Sequence, residues 1–110
     1  MVVATNIFDL TEHLPRTEDY GFTSQIRRAA PSISANIAEA FGRNHIADKI
    51  NFYYYARGSA METQSHLEYG KRVKYLAPEG VNKMDIQIRN LIHGINQIIV
   101  TLKSKTKSKP

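Results

Sequence analysis

Ile88-Arg-Asn-Leu-Ile-His-Gly-Ile-Asn-Gln-Ile-Ile-Val-Thr-Leu102 sets Ile88, Leu91, Ile95, Ile98 and Leu102 at steps of three and four. That repeat lines one face of an α-helix. Gly94 lies inside the stretch and costs about 1 kcal/mol relative to alanine. A single fully buried Ile or Leu returns more, about 1.5–3 kcal/mol. The pattern predicts a helix from about Asn82 to Leu102. So apolar a face needs partners.

Three further helices are expected upstream. Ile26, Ala30, Ile33, Ile37 and Ala40 form a heptad-like seam over Phe22 to Phe41. Pro31 removes the hydrogen bond to the Arg27 carbonyl and is expected to kink this helix, and Gly42 suits its end. Asn44 or His45 can cap a third helix from Ile46 to Leu76, at about 45 Å the longest element. Its inward stripe reads Phe52, Ala56, Ser59, Thr63, Leu67, Gly70 and Val73, with Gly58 and Ala60 beside it. Small side chains there let the second and third helices approach closely. Ile7, Leu10 and Leu14 mark a short first helix from Val3, stopped by Pro15, before a polar loop that ends at Gly21. Pro78 and Gly80 make the last turn. Short joints make successive helices antiparallel. The expected fold is all-α, an up-down-up-down four-helix bundle over 1–102, with a basic, disordered tail over 103–110.

The turn near Asn44 and His45 also predicts register. Residues of the second and third helices whose numbers sum to about 89 should lie level. Arg27 and Arg28 then face Glu62, and a salt bridge between Glu62 and one of them, Arg28 foremost, is expected. If buried, it would set the pairing more than add stability.

Composition bounds the function. The 110 residues suit one domain, and 42% are apolar. No apolar run is long enough to span a bilayer, and the start lacks the basic-then-apolar pattern of a signal peptide. Cysteine is absent, which excludes disulfides and fits a reducing cytoplasm. The net charge of +5 depends on Lys103, Lys105, Lys107 and Lys109; without those four the body carries +1. Such a tail either meets phosphates or only solubilises the chain.

Catalytic templates do not fit. A di-iron bundle needs Glu-x-x-His on two helices, but Glu62 and His66 are four apart. His-Glu-x-x-His is absent. His13, His45, His66 and His93 lie on separate segments. The expectation is a non-enzyme with no cofactor or metal.

Phe52-Tyr-Tyr-Tyr55 spans about 300° of helix surface, so at least one tyrosine points away from the core. Tyr53, Tyr54 and Tyr55 are candidates for a subunit contact, since tyrosine suits interfaces; a tyrosine lying along its own bundle is the alternative. Arg27, Arg28, Arg43, Lys49 and Arg57 gather along the hairpin of the second and third helices. With Lys103 and Lys105 they are candidate phosphate contacts. Lys71, Arg72 and Lys74 suit the end of the third helix electrostatically.

Gly21-Phe-Thr-Ser-Gln-Ile-Arg-Arg-Ala-Ala30, Ser34-Ala-Asn-Ile-Ala-Glu-Ala-Phe-Gly-Arg43 and Ala56-Arg-Gly-Ser-Ala-Met-Glu62 resemble the four-helix bundle family typified by the protein encoded in 23S ribosomal RNA intervening sequences. The resemblance covers roughly Ile7 to Leu102. It implies a ring-shaped homopentamer, and a likeness to the accessory variability protein of diversity-generating retroelements, which binds nucleic acid and a reverse transcriptase. This chain departs from the pattern in a short first helix, an earlier proline in the second, and Ala40 where glycine is common. The resemblance implies a homo-oligomeric scaffold that binds RNA or a reverse-transcriptase-like partner; the alternative is a protein–protein adaptor with no nucleic-acid role.

Overall fold

The computed structural model describes residues 2–15 and 21–107. Four helices occupy them: α1 (Val2–Thr11), α2 (Phe22–Gly42), α3 (Ile46–Arg72) and α4 (Pro78–Lys107). The predicted four-helix bundle is what the chain forms. α3 packs against α2 and α4, and α1 packs against the same two, so α1 and α3 are diagonal, as are α2 and α4. The rod measures 56 × 23 × 18 Å.

The predicted register holds. Ser32 and Ser59 are hydrogen-bonded at 2.7 Å, Lys49 reaches the Ala40 carbonyl, and the Phe22 and Tyr69 rings stand 5.8 Å apart. Paired numbers therefore sum to 89–91. The close α2–α3 seam is built from Ala29, Ala30, Ala40, Ala56 and Ala60, all buried. Gly58 is no part of it: it is exposed, and a Cβ there would meet nothing within 4 Å.

Several boundaries differ from the sequence pattern. α3 ends at Arg72, short of Leu76. Lys74 takes the left-handed conformation (φ 65°). The Lys74 amide donates to the Lys71 carbonyl, and the Tyr75 and Leu76 amides to that of Gly70, the Schellman pattern that closes a helix C-terminus. Leu76 then folds back onto Gly70, and Val73 is left 41% exposed. α4 starts at Pro78 rather than Asn82, because a first-turn proline loses no helical hydrogen bond. Gly80 lies in that first turn with Leu10 against it. With this early start and an end at Lys107 instead of Leu102, α4 has 30 residues to the 27 of α3 and is the longest helix. Its buried line is Val81, Met84, Ile88, Ile95 and Ile99, which leaves Ile98 41% exposed. α2 runs unbroken through Pro31. His45 occupies the N-cap of α3 without a side-chain capping bond.

The core falls into two clusters. The first joins Ile7 of α1 to Phe22, Ile26, Ile33, Leu67, Met84 and Ile88. The second holds Ala40, Tyr53, Ala56, Ile95 and Ile99, with nothing from α1. Ile37 and Leu91 border both. α1 has ten residues, about 15 Å of helix, and covers only one end of the rod. The other end is a three-helix layer in which Phe41 is 76% exposed.

Candidate nucleic-acid interface

The candidate cations do not form one cluster. Arg27 turns toward α1: its Nε donates to Thr11 Oγ1 at 2.9 Å, and its guanidinium lies 4.1 Å over the Phe8 ring. Buried Thr11 donates back to the Ile7 carbonyl. Arg27 thus fastens the first helix, a task invisible in the α2 pattern because its partners are 16 and more positions away. Lys49 is also structural. Its Nζ donates to the Ala40 and Phe41 carbonyls at 3.1 and 3.3 Å, satisfying the end of α2 where helical donors run out. Arg43 pairs with Glu39 at 3.2 Å and stacks over Phe52.

The expected bridge from Arg28 to Glu62 does not form. Arg28 is exposed. Glu62 lies 3.6 Å from His66 Nε2 on its own helix, and its side chain is largely in solvent. The two residues belong to the paired stretches of α2 and α3, but both side chains leave from the outer faces of their helices.

Arg57 and Lys103 come together instead. Arg57 sits 4.8 Å over the Tyr54 ring and Lys103 5.3 Å from the same ring, and Arg57 donates to Asn96 Oδ1 at 2.8 Å. Sequence reading assigned these two cations to different groups, hairpin and tail. Only the antiparallel α3–α4 packing joins them. Asn96 escaped notice because an amide on a polar helix face carries no distinguishing signal. Lys105 lies exposed on the final turns of α4; the Lys107 and Lys109 side chains lie outside the described residues.

The three tyrosines separate as 100° steps require. Tyr53 is 5% exposed inside the second core cluster, so it is a core residue and not a surface contact. Tyr54 is half-buried beneath its cations. Tyr55 is 57% exposed and edge-on to Phe52 at 5.5 Å.

Near the other end three cations share two carboxylates, while Arg28, Lys74 and Lys83 stay exposed. Lys71 and Arg72 both reach Glu68, and Arg89 reaches Asp85 at 2.8 Å. Hydrogen bonds from Arg72 and then Lys71 hold the Glu68 carboxyl below its usual range. Among the described residues, no three of His, Cys, Asp and Glu come together to hold a metal ion, and no helix is long and apolar enough to cross a membrane.

A family model described as 23S rRNA-intervening sequence protein matches residues 1–97. Among curated proteins, none matches the chain. The chain is similar to a protein of unknown function from the S23 ribosomal protein family of Bacteroides thetaiotaomicron, known from a crystal structure. The two share 25% identity over 88% of this chain and 97% of that one, with a TM-score of 0.73.

Proposed function

The chain belongs to the 23S rRNA-intervening sequence protein family, and from that premise we propose that it is a non-enzymatic, homo-oligomeric accessory scaffold that binds RNA. The observation that supports this most directly is the state of its cations. Arg57 and Lys103 have no carboxylate partner among the described residues, so their positive charge is retained at the surface. An oligomer repeats such charges, and repeated weak phosphate contacts add up to multivalent, salt-sensitive binding. Nothing in the sequence matches a base-reading motif, so affinity for backbone and shape is expected rather than for sequence. The exposed apolar side chains Phe41 and Tyr55 support the oligomeric part. They also favour a second reading, in which the assembly receives a protein such as a reverse-transcriptase-like enzyme.

The test is a gel shift of labelled structured RNA. Binding at low salt should fall steeply between about 50 and 200 mM; no shift at the lower value removes the RNA-binding role. Native mass spectrometry with and without nuclease reports subunit number and bound RNA together. A protein partner retained after nuclease, in the absence of any RNA shift, would favour the adaptor.

A further inference from the structure

All ten acidic residues of the chain precede Ile86, so α4 beyond Asp85 carries none. α3 has a matching gap: no Asp or Glu occurs between Asp48 and Glu62. The antiparallel packing lays these two stretches side by side, as the Arg57–Asn96 hydrogen bond and the Tyr54–Lys103 contact show. Asp48 opens α3, six residues from Tyr54 and so about 120° round the helix from it. Glu62 is turned to His66. The result is a continuous face, free of carboxylates, over the end of the bundle that α1 leaves uncovered.

We propose that this α3–α4 face, centred on Tyr54, Arg57 and Lys103, is where the RNA backbone lies, rather than the α2–α3 hairpin. The inference rests on the RNA-binding function above and assigns it a surface. Three features fit phosphate. Arg57 is oriented by a neutral amide, so its direction is fixed while its charge is not neutralised; an ion pair would have cancelled that charge. Among the described residues, no carboxylate pairs with Arg57 or Lys103. Tyr54 gathers the two cations at one ring, 4.8 and 5.3 Å from its centroid. Beside Asn96, a shallow depression of α4 lined by His93, Gln97, Val100 and Thr101 offers hydrogen-bonding groups to sugar hydroxyls. On the hairpin, by contrast, Arg43 is paired with Glu39, Arg27 and Lys49 are committed to α1 and to the end of α2, and Arg28 stands exposed with, among the described residues, no second cation gathered beside it on a shared ring.

The experiment compares two double variants of equal charge loss by fluorescence anisotropy with a short labelled RNA hairpin across a salt series. Arg57→Gln with Lys103→Gln should lower the slope of log K against log salt by about 1.4–1.8, and affinity near 50 mM by about 50- to 200-fold, for each subunit in contact with the RNA. Lys74→Gln with Lys83→Gln, exposed at the opposite end, should leave the slope unchanged. Arg57→Lys with Lys103→Arg keeps both charges and should restore most of the affinity, which separates lost contacts from lost folding. If the wild type binds but both Gln pairs weaken it equally, or neither does, the surface is misassigned while RNA binding stands. If the wild type fails to bind at low salt, the function itself is wrong and this surface goes with it.

Discussion

At the residue scale, two side chains have jobs that their types do not announce. Thr11 is 1% exposed and accepts the Arg27 Nε–H while donating to the Ile7 carbonyl. Valine has the same shape without the acceptor. Thr11→Val should therefore destabilise by about 1 kcal/mol, the low end for a lost hydrogen bond because half-exposed Arg27 can turn to water. Urea unfolding with an unchanged m-value is the measurement. Lys74 carries the left-handed cap of α3 at φ 65°, where a Cβ is strained. Lys74→Gly should stabilise by about 0.5–1 kcal/mol, whereas Lys74→Ala, which keeps the Cβ, should give no such gain.

At the scale of the element, glycine means opposite things at two places in α3. A Cβ on Gly70 would fall 2.7 Å from both Leu76 Cδ1 and Phe22 Cζ. The helix end, the returning chain and α2 all meet there, and Gly70→Ala should cost about 1–3 kcal/mol through overpacking. Gly58 has open space around it, so Gly58→Ala should stabilise by about 1 kcal/mol through helix propensity alone. Thermal melts of the pair should move in opposite directions. The helix lengths follow equally local causes. The cap at Lys74 shortens α3, while Pro78 at the first position and the absence of Gly and Pro between 103 and 107 lengthen α4.

At the scale of the whole molecule, one end of the rod is a four-helix bundle and the other a three-helix layer. Phe41 and Ile98 stay exposed there at 76% and 41%. If copies associate, as proposed, the melting temperature should rise with protein concentration, because subunits that bind the folded state stabilise it by mass action. Melts over a hundredfold concentration range that coincide would mark a monomer. The first helix was legible from Ile7, Leu10 and Leu14. How much of the rod it covers was not, since coverage depends on where Val2 falls against Ile37 and Leu91.

Local periodicity alone determined four helices, their order and the α2–α3 register, because burial of one apolar face every three or four residues is a property of each segment and its short turns. Tertiary structure decided what each cation touches. Arg27, Arg28 and Arg57 look alike in the chain. One grips α1, one faces solvent, and one meets Asn96 and Tyr54 beside Lys103. Electrostatic fate depends on what lies within a few ångströms, and those neighbours come from helices distant in sequence, so only the packed bundle brings them into range.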